Sequence, residues 1–166
     1  MGLAGWKDYF DKATPRNSSD YMEPGNFLLR IDVIKEGTNR ANMDNFKVEG
    51  TIIHKLSEEG SQSVGQSVTH MMSSRSDYYM NDLKLLVAGM FGISVNEATF
   101  DQVLRIAQDS QPLKGAVVEY YCYRKEGKVY TNCQCRGLQP EATVREKLSD
   151  AEWERFGDSL KFSTAN

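Results

Sequence analysis

Three observations predict a mainly β fold with added helices: a five-stranded barrel with a helical insertion between its third and fourth strands and short helical flanks. Segments beginning at Phe27 and Phe46 alternate apolar and polar residues at period two. From Tyr79 to Ala107 apolar residues recur at three and four instead, the spacing of a helix face. The stretch "VVEYYCYRKEGKVYTNCQCRG" (117–137) then returns to alternation around a Lys-Glu-Gly-Lys turn.

The elements follow in order. Trp6, Tyr9 and Phe10 share one face of a short opening helix, which "ATPRNSSD" ends with turn formers. In "FLLRIDVIK" (27–35), Phe27, Leu29, Ile31 and Val33 point to one side and Arg30 and Asp32 to the other, giving a first strand. The loop "EGTNRANMDN" leads to "FKVEGTIIHK", a second strand with Phe46, Val48 and Ile52 inward and Lys47, Glu49 and Thr51 outward. Gly50 interrupts the inward row, as at a bulge or barrel bend. "VGQSVTHMM" (64–72) is a third strand with Val64, Val68, His70 and Met72 on a common side. Tyr79, Leu83, Leu86, Val87 and Met90 then line a helix stopped by Gly92, and Phe100, Val103, Leu104 and Ala107 line a second. After the tyrosine-rich hairpin, Ser149 with Glu152 forms a capping-box pattern that opens a short helix bearing Trp153 and Phe156.

Composition narrows function by exclusion. A formal net charge of −3 provides no global attraction to nucleic acid or membrane, so such a partner needs a local patch. No apolar run reaches the roughly 20 residues of a membrane span, and no signal-peptide core opens the chain. Three cysteines, an odd number, suit reduced thiols in a cytoplasm.

The hairpin is the one local concentration of chemistry. A two-residue loop at Glu126-Gly127 pairs Tyr123 with Tyr130, Tyr121 with Asn132 and Tyr120 with Cys133. One face then holds Val118, Tyr120, Cys122, Val129, Thr131, Cys133 and Cys135, which suit a core. The other holds Glu119, Tyr121, Tyr123, Tyr130, Asn132, Gln134 and Arg136. Lys114 through Arg136 carry five basic and two acidic residues, a local +3. Cys133-x-Cys135 with Cys122 falls short of the four ligands of a closed zinc site, so no metal is expected and the thiols are inert core groups. No cofactor motif appears either, since Walker, dinucleotide and nucleophile-elbow patterns are all absent, and the carboxylates form no catalytic constellation. The chain is read as a non-enzyme.

Strand, strand, strand, helix, strand, strand is the order of an OB-fold, a small barrel that binds oligonucleotides on its strand 2–3 face and through the loops joining strands 1–2 and 4–5. Here those loops carry Lys35 and Arg40, and Arg124, Lys125 and Lys128. Quoted in order, "YMEPGNFLLRIDVIKEG", "DNFKVEGTIIHKL", "VGQSVTHMM" and "LKGAVVEYYCYRKEGKVYTNCQCRGL" resemble the phage-encoded single-stranded DNA-binding proteins with an OB core. The resemblance covers about residues 21–138. It divides the chain into an N-terminal flank (1–20), an OB-fold nucleic-acid-binding domain (21–138) and a C-terminal helical tail (139–166).

What the resemblance implies is sequence-independent binding of single-stranded DNA, or RNA, that protects strands during phage DNA replication or recombination in the host cytoplasm. It assigns Tyr121, Tyr123 and Tyr130 to base stacking and Arg40, Arg124, Lys125, Lys128 and Arg136 to phosphates, beside Lys35 and Lys47. Replication or recombination proteins and further copies of the chain are the implied protein partners, and a membrane is not. Residues 149–166 hold four acids and two bases, so the dense acidic recruiting tail of many single-strand binders is lacking. The rival reading is a non-enzymatic protein-interaction barrel, a phage structural or host-inhibitory module, because tyrosine and arginine also anchor protein interfaces.

Overall fold

The computed structural model describes residues 5–12, 20–38, 41–58 and 60–162. Helix α1 (Trp6–Lys12) is followed by strands β1 (Asp20–Tyr21), β2 (Gly25–Thr38), β3 (Asp44–Lys55) and β4 (Ser67–Ser73). Helices α2 (Tyr79–Phe91) and α3 (Phe100–Ile106) precede strands β5 (Val117–Tyr123) and β6 (Asn132–Leu138), and α4 (Glu141–Lys147) and α5 (Asp150–Phe156) close the chain. The strands form one sheet in the order β1-β4-β3-β2-β5-β6, antiparallel except that β1 runs parallel to β4.

Two expectations change here. The sheet has six strands, because Asp20–Tyr21 adds an edge too short to show a period. Its hydrogen bonding is also open, with β1 and β6 as edges, and does not close a five-stranded barrel. The sheet is nevertheless strongly curled. β4 and β5 lie three strands apart, about 14 Å in a flat sheet. Yet the His70 ring on β4 and the Tyr120 hydroxyl on β5 share a hydrogen bond of 3.0 Å.

The bend has local causes in β2 and β3. An extra residue at Asp32 shifts the register between Ile31 and Val33, opposite Gly50 and Glu49. The shift moves Val33 out of the inward row and brings in Ile34, which is fully buried. A Cβ on Gly50 would collide with the Arg30 carbonyl oxygen and the Leu29 side chain, so only glycine fits where the strands close up. The interior then gathers Phe27, Leu29, Ile31, Ile34, Phe46, Val48, Ile52, Val68 and Met72.

Helix α2 joins this core through Leu83, Leu86, Val87 and Met90, and Gly92 ends it in the left-handed conformation. The helix presses so closely on β6 that a Cβ on Gly89 would strike the Cys135 carbonyl. Of the expected α3 stripe, Val103 is buried and Ala107 packs partly buried against the core, but Phe100 and Leu104 are exposed and Ile106 is buried as well.

A second cluster lies on the outer face of the sheet. Leu28, Ile53 and Val117 are covered there by Val144, Leu148, Phe156 and Leu160 of the tail. Ser149 and Glu152 form the expected capping box at α5. Glu152 also bonds the His54 ring at 2.8 Å. Arg30 ties the layers together, donating to Asp32, Thr51 and the Ser159 hydroxyl, with its guanidinium 5.9 Å from the Phe156 ring centre.

Two outcomes test this architecture. Burial pushes the His70 imidazole from its ordinary 6.5 down to about 4. The unfolded chain therefore binds a proton in that window that the folded chain does not. The resulting stability is complete above pH 6.5 and is lost as pH falls towards about 4. His70→Gln should flatten the pH dependence of urea stability across this window by on the order of 2–3 kcal/mol; identical pH profiles for the two proteins would exclude the buried-imidazole account. In the outer cluster, Phe156→Ala should cost about 3–5 kcal/mol of unfolding free energy, because its ring is the tail's largest buried side chain.

Candidate nucleic-acid interface

Alternation along β5 sorts the hairpin by face. Val118, Tyr120 and Cys122 are buried, while Glu119, Tyr121 and Tyr123 face out. The observed register pairs Tyr123 with Asn132, Cys122 with Cys133, Tyr121 with Gln134 and Tyr120 with Cys135. It is displaced by two residues from the expected one, and a two-residue shift preserves the face of every strand residue. The turn is where it was expected, with Lys128 N–H bonded to Lys125 C=O at 3.0 Å and Gly127 at φ 77°. Pairing, however, stops at Tyr123 and Asn132, leaving residues 124–131 as a loop. Val129 is consequently 91% exposed and not a core residue, and Tyr130 stands on the loop, not on the sheet.

On the outer face Tyr121 and Tyr123 stack, with ring centres 5.7 Å apart and planes 28° from parallel. The Arg136 guanidinium lies 4.3 Å from the centre of the Tyr121 ring. A bulge helps to bring it there. Between the pairs Val118–Leu138 and Tyr120–Cys135, β6 carries one extra residue, and Gly137 has φ 116°. Two amide atoms buried beneath this surface have no hydrogen-bond partner: Asn26 Oδ1, on the residue opposite Tyr121, and Asn132 Nδ2, on the residue opposite Tyr123.

Charge is concentrated at the loop. Lys125, Lys128 and Tyr130 are exposed. Arg124 is more constrained, bonded to Thr131 Oγ1 at 3.2 Å and paired with Glu23 at 3.6 Å. Glu23 is an acidic neighbour that sequence spacing does not reveal, being a hundred residues away. None of the ion pairs among the described residues engages Lys47, Lys125, Lys128 or Arg136.

The remaining expected residues do not join this cluster. Lys35 and Lys47 oppose each other on β2 and β3, with Glu49 3.6 Å from Lys35. Lys35 is nine residues along β2 from Asn26, the partner of Tyr121, which is roughly 30 Å of strand. Leu28 and Arg30, between them, are occupied by the tail. Arg40 lies outside the described residues. Beside Lys47 the structure supplies an unforeseen neighbour set: Met71 is its partner on β4, and the exposed Tyr21 reaches Met71 Sδ at 3.9 Å.

The three cysteines turn inward. Contact with Cys133 and burial both raise the Cys122 thiol far above the ordinary range, and burial pushes Cys135 up to about 11. Burial also raises the Tyr120 hydroxyl, so this interior is neutral. Among the described residues no group of three or more His, Cys, Asp or Glu side chains is placed to hold a metal ion. No helix among them is long and apolar enough to cross a membrane. No protein-family model matches the chain, and no curated protein matches it.

A thiol titration checks the interior. Ellman's reagent on native protein at about pH 8 should react readily with Cys133 at most, whereas denaturant should release all three thiols, because the buried pair stays protonated. Fast reaction of all three in native buffer would mean that the β5–β6 interior is open.

Proposed function

We propose that the chain is a single-stranded nucleic-acid-binding protein built on a partly open OB-like barrel, and that the β5–β6 hairpin is its principal contact. The observation that carries the reading is the stacked pair Tyr121–Tyr123 under Arg136, beside a tip with Lys125 and Lys128 exposed. The fold assignment is supported by the curl that brings His70 to Tyr120 and by α2 packed against β6.

The mechanism separates into two contributions. Bases stack on the tyrosine rings, which accept any base because every base has a flat π face. Phosphates are neutralised by Lys125, Lys128 and Arg136, releasing counterions and making affinity fall with salt. Tyr21 and Lys47 form a separate patch that only a longer strand would reach. The resemblance supports a role in protecting strands during phage replication or recombination.

Fluorescence titration of a labelled oligonucleotide of about 30 residues at two salt concentrations tests the reading. Lys125→Ala or Lys128→Ala should weaken binding and reduce the slope of log affinity against log salt by about 0.7. Tyr121→Ala or Tyr123→Ala should weaken it by about 1–3 kcal/mol with the slope nearly unchanged. Wild-type protein that ignores the strand at low salt would transfer the same tyrosine and arginine surface to a protein partner.

A further inference from the structure

The register of the hairpin brings two thiols face to face. The register expected from sequence pairs Tyr120 with Cys133, so that no cysteine meets another. The observed pairing is displaced by two residues, and Cys122 on β5 lies directly opposite Cys133 on β6. Both belong to the inner face, where Cys122 is buried and Cys133 packs partly buried against the core. Directly opposed residues of an antiparallel pair have Cα atoms about 4.5–5.5 Å apart, inside the roughly 4.4–6.8 Å that a disulfide spans.

The geometry selects this pair from the three thiols. Cys133 and Cys135 are two residues apart on one strand, roughly 6.7 Å, with side chains that run side by side. That is too far for the Cβ separation of about 3.8 Å in a disulfide. Cys135 lies opposite Tyr120 and is only a diagonal neighbour of Cys122, at about 7–8 Å. On its other side Cys122 is paired with Gly25 of β2, which has no side chain, and Met22 Sδ is 4.0 Å from its sulfur. The Cys133 thiol touches that of Cys122.

Access differs between the two. Cys133 is one pair from the end of the ladder, where pairing stops at Tyr123 and Asn132 and the loop 124–131 begins. It is also the one cysteine of the three that is not buried. We propose that Cys122 and Cys133 form a reversible cross-strand disulfide by exchange with a small-molecule disulfide that is attacked first by Cys133.

The exchange balances in two steps. Cys133 Sγ bonds to one sulfur of the small disulfide, whose other half leaves as a thiol carrying the Cys133 proton. Cys122 Sγ then attacks Cys133 Sγ and expels the second half, which takes the Cys122 proton. The two protein thiols are oxidised, and the small disulfide is reduced to two thiols. Contact with Cys133 and burial hold Cys122 protonated, so the second step is slow and the rapid reaction belongs to Cys133. The new bond closes residues 122–133 into a ring around the loop that carries Lys125 and Lys128, bracing the hairpin where its ladder ends. The inference is independent of nucleic-acid binding, and its test uses none.

The full chain, reduced and then freed of reductant, is incubated with oxidised glutathione at about pH 8. It is then denatured, alkylated and digested with trypsin without reduction. Cleavage at Lys114, Arg124, Lys128 and Arg136 leaves Cys122 on peptide 115–124 and the other two cysteines on peptide 129–136. The expected product joins these peptides through Cys133, carries alkylated Cys135, and separates again on addition of dithiothreitol. Cys122→Ala should end with about tenfold more glutathione bound to Cys133 than wild type, because the second thiol is missing. Cys135→Ala should form the same cross-link as wild type, and circular dichroism before oxidation checks that both variants fold. The wild-type peptide map decides the matter without either variant. A lasting glutathione adduct on Cys133, a Cys133–Cys135 bond, a cross-link between two chains, or three unreacted thiols would each overturn the proposal.

Discussion

The hydrogen bond between His70 and Tyr120 is the constraint on which the other features depend. Tyr120 is fully buried, and a buried phenol without a partner would cost about 1–3 kcal/mol. Its partner belongs to a strand three places away, so the bond can form only if the sheet curls. The bulge at Asp32 and the close approach at Gly50 provide that curl. Phe27 stacks on the same ring at 6.2 Å, and the three thiols complete a neutral surrounding. Neutral His70 is part of the same condition, since a charged imidazole would have no buried anion to answer it.

Once the sheet is curled, its outer face is divided between two uses. The tail covers Leu28, Ile53 and Val117 and fixes Arg30 through Ser159. Further along β5, the same face presents Tyr121 and Tyr123 partly exposed. The change along one strand follows from side-chain type: Val117 is small and apolar and suits a packed helix, whereas the tyrosines pair with Arg136 and remain partly in water. Arg30, with three hydrogen bonds inside the protein, is a structural arginine. Lys125 and Lys128 are different in kind, because their charges have no internal partner among the ion pairs described.

Period-two alternation made the faces of the hairpin legible even though its register differs. A slip of two residues leaves Tyr121 outside and Tyr120 inside, whereas a slip of one would have exchanged them. The helix α2 and the Ser149 capping box were legible because both depend on local spacing. Val33 was misplaced because a bulge is set by the neighbouring strand, not by the residue that it displaces. The strand β1 was invisible because two residues carry no period. Lys35 was expected in the loop after the first strand but lies within the longer β2, paired with Lys47, and sequence alone did not show that the tail separates both from the tyrosines.

Only half of the expected α3 stripe, Val103 and Ala107, reaches the core. Phe100 and Leu104 have the spacing of a core-facing stripe, and periodicity records amphipathicity without saying what covers it. Their exposure leaves an apolar acidic groove at the Thr38 end of β2, while the basic hairpin lies near the Gly25 end. Fourteen residues of strand, roughly 45 Å if straight, separate the two. A net charge of −3 therefore hides an uneven arrangement, with exposed Lys125 and Lys128 at one end and Glu36 and Asp44 in the groove at the other.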